Sequence, residues 1–422
     1  MRITQGMIQN SSLNTMYNNM NNLNTLYNQM NTLKKIQRPS DDPIIAGRSL
    51  KLRLNVMEAE QYSGNVDEAV SWMSVTEAAL KNTTEIIKDI RTRCVQASNG
   101  TLTSEDRLKI VSDMEQLYSQ LKQESNVTYA GRYVFSGYKT DQPVFFEKET
   151  KLENNTKLKE SMRLTGDMQL SAETELKGDM TIKAGSEIKT DIVLKTTDIK
   201  TPDLSVTPLP EGIEVNGDVV TIKAGTDTIS LGVDIVIKEG TKLQAGTTLP
   251  KGVEVPKGTE LQAGTKLPAG VLNPNVHGYS EGQNIEYEIG VNNTLNVNTL
   301  GMPEMMHKLL NNIEDMIAKI SDESMTDDQL NEVFTDMIGH MDERLKETSK
   351  MTADLGSKQN RLEYTQSRLQ DDKTNFTELL SNTEDVDLEE VYVEFNAQYM
   401  IYQSGLQATS KIIMNTLADF LR

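Results

Sequence analysis

The sequence predicts a mainly α-helical protein with a β insert, in which the two ends of the chain form an elongated antiparallel coiled-coil rod. Apolar residues recur every seven positions over one long stretch in each half. Gly and Pro are scarce in those stretches and concentrate between about 141 and 297, where Thr, Val and Ile alternate with small residues. That middle zone also repeats every six residues. With 422 residues, 37% hydrophobic and 5% aromatic, the chain is lean for one compact globule and suits several units with thin cores.

The first rod helix is the clearest element. Ile45, Leu52, Ala59, Val66, Met73, Leu80, Ile87 and Cys94 are spaced at seven without a break, with Val56 and Val70 in part of the second seam position. A strict seven-residue repeat keeps one stripe facing a partner helix. The helix starts at Pro39-Ser40-Asp41-Asp42-Pro43, where Asp41 or Asp42 caps and Pro43 fits the first turn, and it ends near Asn99-Gly100. A second helix is expected over 104–129, with Thr103 and Asp106 spaced as a capping box and Leu108, Val111, Tyr118 and Leu121 on one face.

In the second half, Phe334, Met341, Thr348, Leu355, Leu362, Leu369 and Phe376 repeat the seven-residue spacing, behind a Thr326/Gln329 cap. The ends form a matching pair. Leu13, Met16, Met20, Leu23, Tyr27 and Met30 step by three and four, as do Leu388, Tyr392, Phe395, Tyr399, Tyr402, Leu406, Thr409, Ile413, Thr416 and Phe420. Nine Asn between positions 10 and 31 make the first of these a poor helix alone. Its stripe is therefore expected to gain order from contact, either with the other end in a local hairpin or with neighbouring subunits as well.

The middle zone places Gly240, Gly246, Gly252, Gly258, Gly264 and Gly270 six apart, with Leu243, Leu249, Val255, Leu261 and Leu267 at the same interval. Upstream, Leu170, Leu176, Ile182, Ile188 and Leu194 also step by six, and EGTKLQAGTTLPKGVEVP aligns with KGTELQAGTKLPAGVLNP as an 18-residue unit. One inward aliphatic per six residues fits a β-solenoid or meander, and equally a series of hairpins with Gly-marked turns. Either reads as an exposed appendage.

A net charge of −19 argues against nucleic acid or anionic membrane as the main partner. The charge is uneven, because residues 1–40 hold no Asp or Glu. One cysteine, Cys94, excludes an intramolecular disulfide framework, and its place on the seam makes it a packing residue. No cleavable signal peptide and no membrane-spanning run are visible. His277, His307 and His340 lie far apart without Cys or carboxylate at ligand spacing, so no metal, cofactor or catalytic constellation is expected. Trp72, one residue before Met73, borders a helix interface, and the acidic cluster at 322–328 reads as a solvated turn.

Several stretches carry a resemblance. Arg38-Pro-Ser-Asp-Asp-Pro-Ile-Ile-Ala looks like the start of the first rod helix in the flagellin family, and Gln61-Tyr-Ser-Gly-Asn-Val-Asp-Glu-Ala, Thr76-Glu-Ala-Ala-Leu and Gln96-Ala-Ser-Asn-Gly-Thr follow in that family's order. Leu406-Gln-Ala-Thr-Ser-Lys-Ile is similar to its terminal helix. Met1-Arg-Ile-Thr and Gly131-Arg-Tyr-Val-Phe-Ser-Gly-Tyr resemble the family's hook–filament junction members more than its filament-forming ones.

The resemblance implies a structural adaptor, not an enzyme, exported unfolded through the flagellar secretion channel to the cell exterior. It implies a homo-oligomer that meets a hook-side junction protein and flagellin, with a cytoplasmic export chaperone. It also implies three domains. Residues 1–42 with 384–422 would form the inner tube, 43–140 with 298–383 the rod, and 141–297 the outer domain. On this reading Leu13, Met16, Met20, Leu23, Tyr27, Met30, Tyr392, Phe395, Tyr399, Tyr402, Leu406, Ile413 and Phe420 make subunit contacts. Ile45, Leu52, Val66, Met73, Leu80, Ile87, Leu355, Leu362 and Leu369 make the rod core. A filament-forming flagellin, or a surface-exposed binding module acting through the insert, are the alternatives. The long repetitive insert departs from the family pattern.

Overall fold

The computed structural model describes residues 5–98, 104–183, 186, 188–201, 213–216, 219–222, 234–276, 284–320 and 326–420. Six helices frame it: α1 (Gln5–Thr32), α2 (Pro43–Ala97), α3 (Ser104–Ser125), α4 (Met302–Ile320), α5 (Asp327–Glu384) and α6 (Leu388–Phe420). The chain divides into two compact units. One comprises Met1–Val66, Ile289–Val291 and Glu363–Arg422, the other Asp67–Glu288 and Asn292–Leu362. Both α2 and α5 contribute to each.

Caps fix where the long helices begin. The Asp42 carboxylate accepts from the backbone N–H of Ile44 at 2.9 Å and Ile45 at 3.1 Å, with Pro43 as the first helical residue. At the start of α5, the Gln329 side chain accepts from the Thr326 N–H at 2.9 Å, and the Gln329 N–H donates back to Thr326 Oγ1 at 3.5 Å. The Thr103/Asp106 pair lies outside the residues whose side chains are described. The expected helix over 104–129 stops at Ser125. The Asn126 side chain bonds both backbone groups of Phe145, and Thr128–Tyr129 pairs with Arg132–Tyr133 around Ala130 and Gly131, both at positive φ. Two positive-φ residues in a two-residue loop make the hairpin turn that matches strand twist.

In the first unit α1 and α6 run antiparallel, with the Tyr27 and Phe395 rings 6.5 Å apart and Gln398 Nε2 donating to Asn19 Oδ1 at 3.3 Å. α2 and α5 also run antiparallel there, through Arg53–Glu384, Glu60–Lys373 and Ser63–Gln366. In the second unit the same helices meet through Glu77–Gln359 and Arg91–Asp342. Met73, Leu80, Ile87 and Cys94 of α2 and Phe334, Met341, Thr348, Leu355 and Leu362 of α5 are at most 1% exposed there. α3 adds Val111, Met114 and Leu121, and α4 adds Met305, Met306, Leu309, Ile313 and Met316. Each such aliphatic removed from water contributes about 1.5–3 kcal/mol. Trp72 is buried against the edge of the Tyr129 ring, whose centroid is 5.9 Å away.

The six-residue repeat folds as one long hairpin wound into a solenoid, which joins the two readings that the sequence left open. Ascending strands at 150–151, 156–157, 162–163, 168–169, 174–175 and 180–182 pair antiparallel with returning strands at 266–267, 260–261, 254–255, 248–249, 242–243 and 235–237. The register does not slip from Thr150↔Leu267 to Met180↔Ile237. At each returning step a Gly with φ between 79° and 88° turns the chain, and from Gly240 to Gly264 the next N–H bonds three residues back, as Thr247 does to Gln244. That is a type II turn, whose third position needs positive φ.

The hairpin then stacks on itself. Lys266 pairs with Lys151 and also with Gln169, 18 residues further along the ascending arm. Ser171 Oγ to Ala263 O at 2.8 Å and Thr165 Oγ1 to Ala269 O at 2.7 Å lie within one residue of that offset. A Cβ on Gly178 would lie 2.9 Å from Pro256 Cβ, so only glycine fits that contact. Eighteen residues are three steps, so three sides complete a turn, and the 18-residue sequence unit is one turn of the returning arm.

The expectation of one inward residue per six is corrected to two. Thr156, Met162, Met168, Thr174 and Met180 are buried beside Leu158, Leu164, Leu170, Leu176 and Ile182. The sheet of Ile192–Lys195, Ile213–Asn216 and Val219–Ile222 continues the same apolar core.

Candidate assembly interface

Asp41 and Asp42 serve the backbone. Asp41 accepts from the N–H groups of Arg38 at 2.9 Å and Gln37 at 3.2 Å, which hold its carboxyl below the usual range. Pro39 and Ser40 sit in the exposed turn beside it.

Behind this turn lies a polar clamp that the sequence did not single out. Glu384, 3% exposed, accepts from Ser49 Oγ at 2.8 Å, Arg53 Nε at 3.0 Å and the nearby Lys34 ammonium at 3.3 Å. The Arg53 hydrogen bonds, with those from Ser49 and Lys34, hold its carboxyl below the usual range. Asp385 takes Lys34 Nζ at 2.6 Å and Ser381 Oγ at 2.7 Å. Lys35 N–H to Glu384 O and Val386 N–H to Leu33 O stitch the α1–α2 turn to the α5–α6 turn. Only the fold shows that one of the two carboxylates ending Ser-Asn-Thr-Glu-Asp is buried.

The expected contact residues divide. Met16, Leu23, Met30, Phe395 and Tyr402 are half-buried where α1 meets α6. Leu13, Met20, Tyr27, Tyr392, Tyr399 and Leu406 are 39% to 56% exposed. Ile413 and Phe420 fall in α6, but their side chains lie outside the described residues. Met7, Ile8, Tyr17, Val393, Met400 and Ile401 are exposed as well and were not picked out by the stripe. The pair therefore covers part of its apolar surface and leaves the rest in water. Of the expected rod core, Val66, Leu362 and Leu369 are buried, like the residues named above, whereas Ile45 and Leu52 are half-buried, as is Phe376 at the end of the α5 repeat.

Within the second unit the insert is pinned to α3 and α4. Arg163 bridges Glu314 at 3.3 Å and Asp315, and the Tyr118 hydroxyl donates to Glu314. Lys122 Nζ lies 4.3 Å from the Tyr118 ring centroid, and burial pushes its ammonium down to about 8. His307 shares a 3.1 Å contact with Asn311, and burial lowers its pKa. His340 is exposed, and His277 lies outside the described residues. Burial pushes the Cys94 thiol up to about 12, away from reactivity. Among the described residues no three His, Cys, Asp or Glu side chains are grouped to hold a metal, and no helix is long and apolar enough to cross a membrane.

Residues 3–140 match the family model of the bacterial flagellin N-terminal helical region, and residues 338–421 that of the C-terminal helical region. The chain is similar to flagellar hook-associated protein 3 of Escherichia coli K12, 36% identical over 119 residues, which are 28% of this chain and 38% of that protein. With hook-associated protein 3 of Salmonella typhimurium it is 33% identical over 146 residues, 34% of this chain and 46% of that one. The chain thus spans less than half the length of these curated relatives. A putative flagellar hook-associated protein from Vibrio parahaemolyticus superimposes with a TM-score of 0.46 at 14% identity, over 82% of this chain and all of that one.

Proposed function

We propose that this chain, which belongs to the flagellin superfamily, is a structural adaptor of the bacterial flagellum that joins the hook side to the flagellin filament. The observation that carries this reading is the α1–α6 pair, which leaves Met7, Leu13, Tyr17, Met20, Tyr392, Tyr399 and Met400 in water. Apolar surface on that scale is suited to burial against other subunits. The names of the two hook-associated relatives supply the place of assembly.

On this reading residues 1–42 with 384–422 act as the assembly domain, 43–140 with 298–383 as the rod and 141–297 as the outer domain. The subunits form a ring or single helical turn between a hook-side junction protein and flagellin. The unfolded chain leaves by the flagellar secretion channel, with a chaperone covering α6 beforehand, and the protein works without catalysis or cofactor.

Electron microscopy of a strain lacking the gene tests the proposal. Hooks without filaments, with flagellin shed into the medium, are expected, and normal filaments would overturn it. A filament-forming flagellin is the second reading, favoured by the 30% identity over 128 residues to a Clostridium tyrobutyricum flagellin. Purified chain that polymerises into long filaments alone would select it.

A further inference from the structure

Within the second unit, α4, α5 and the segment 296–301 that leads into α4 enclose a cleft of about 470 Å³. That volume lies in the range of small-ligand sites, and the adaptor reading gives the cleft no role. Leu300, Met305 and Met351 line its apolar part. A Cβ on Gly301 would stand 3.7 Å from Met351 Cε and fill the corner that the glycine leaves open. Methionine is unbranched and polarisable, so this floor adapts to an apolar guest.

The charges around the floor differ in what they are bound to. Three carboxylates line the cleft, and all are engaged. Asp354 takes Lys358 Nζ at 2.9 Å, Glu347 takes Arg344 Nη1 at 2.8 Å, and Glu304 has an interaction of its own. Arg344 is 7% exposed, one turn before Glu347 on α5, and its Nε has no acceptor among the described residues. Lys308 of α4 and Lys350 of α5 also line the cleft. Both are exposed, and neither makes an ion pair among the described residues. One ammonium from each helix, beside an apolar floor, suits a single negative charge attached to a hydrocarbon group.

The geometry points to a binding site for the C-terminal carboxylate of a peptide that ends in an apolar residue. The carboxylate sits between Lys308 and Lys350, and the last side chain lies over Leu300 and Met351. The charge of the guest follows from the walls. Glu304, Glu347 and Asp354 stay in the cleft, so a dianion such as phosphate meets more repulsion there than a carboxylate does. This site does not depend on the adaptor reading, and neither falls with the other.

The test is titration of the full-length protein with acetyl-Gly-Gly-Leu, followed by ligand-observed NMR. A dissociation constant of about 1 mM or tighter is expected for a guest of this size. K308E/K350E is expected to weaken binding at least about tenfold, and the peptide amide, which lacks the charge, is expected to bind as weakly. K346E reverses an exposed lysine of α5 that does not line the cleft, and is expected to change binding by less than about twofold. All three lysines are exposed, so the melting temperature serves as the folding control.

No binding at about 10 mM peptide, or unchanged binding in K308E/K350E, would overturn the site. Equal binding of the amide would do so even where the double variant fails to fold. A loss in K346E as large as in K308E/K350E would reduce the effect to general surface charge and overturn it as well. Displacement of the peptide by an equal concentration of inorganic phosphate would overturn the assignment to a carboxylate.

Discussion

The solenoid insert and the terminal helix pair bury their apolar residues to very different degrees. In the described part of 147–276, the buried Leu, Ile, Val and Met side chains form one continuous core, and Val219 is the only large apolar residue of that span counted as exposed. In α1 and α6, Met7, Ile8, Leu13, Tyr17, Met20 and Tyr27 face water, and so do Leu388, Tyr392, Val393, Tyr399, Met400, Ile401 and Leu406. Both regions follow a regular apolar pattern. The insert closes its pattern on itself, because every strand finds its partner and the next turn within the chain. The terminal pair is two helices wide, and two helices cannot enclose a core between them. The first region is complete as a monomer, and the second is completed by assembly on the proposed adaptor reading.

Removing residues 386–422 breaks the comparison most severely. It deletes one member of the terminal pair and leaves the Glu384 clamp in place. Retention on flagella is expected to fall below detection, while circular dichroism of the α2–α5 pair and of the insert persists. Collapse of the remaining helices on truncation would show that the pair is not separable from the rest.

A core substitution in the insert should do the reverse. Leu261 is fully buried in the wound hairpin, so Leu261→Asp places an unpaired charge among aliphatics and should destabilise the insert by about 4 kcal/mol or more. Tyr399→Ser, at a 45% exposed position, should leave the monomer melt within about 0.5 kcal/mol of wild type and lower retention instead. Equal melting shifts for the two variants would erase the distinction.

The clamp gives a smaller effect. Glu384→Ala removes the shared acceptor of Ser49, Arg53 and Lys34. Arg53 and Lys34 remain in contact with water, so the loss is set mainly by Ser49 and the vacated space, at about 1–2 kcal/mol in denaturant unfolding. A melt unchanged within about 0.3 kcal/mol would mean that the stitched turns hold without it.

What the sequence displays depends on how local the cause is. The seven-residue seam from Ile45 to Cys94, the Asp42 cap and the Thr326/Gln329 cap are decided within a few turns, and all are readable from residue types and spacing. The six-residue period was equally plain, but its pairing was not. Ascending and returning arms carry the same pattern, and partners such as Thr150 and Leu267 lie more than a hundred positions apart. The second inward position escaped because Thr156 and Thr174 are polar and Met162, Met168 and Met180 break the run of leucines. Glu384, Arg163 and Glu314 were invisible for another reason. An isolated charged residue reads as surface, and its burial follows from partners that only the folded chain brings near. Of the candidate interface, the stripes were legible, while the side of each stripe left in water depended on how α1 and α6 pack.

The smallest expected effect sharpens the account of how the insert is attached. Lys122 of α3 faces Tyr118 on its own helix, Glu314 of α4, and Lys251 from the insert, and burial brings its pKa from the ordinary 10.5 down to about 8. In the unfolded chain the amine keeps its proton up to pH 10.5, so between about 8 and 10.5 the unfolded state binds more protons than the folded one. Stability then rises with pH across that window, and this group adds no slope below it. Tyr118 has its pKa raised, so above about pH 10 the unfolded phenol loses its proton first and the sign reverses. Cys94, whose thiol burial raises from its ordinary 9.0 to about 12, gives that reversed sign from about pH 9, so the test is made in a Cys94→Ala background, where the clean interval is pH 8 to 9.5. A full proton of difference sets a ceiling of about 1.4 kcal/mol per pH unit, and partial solvent access brings the expected gain to about 1 kcal/mol in all. Chemical unfolding at pH 8.0, 8.75 and 9.5 should show the rise in Cys94→Ala and a flat profile in Cys94→Ala with Lys122→Met. A profile that is flat or falling in Cys94→Ala would mean that the amine is already solvated, and that Arg163 with Glu314 and Asp315 holds the insert alone.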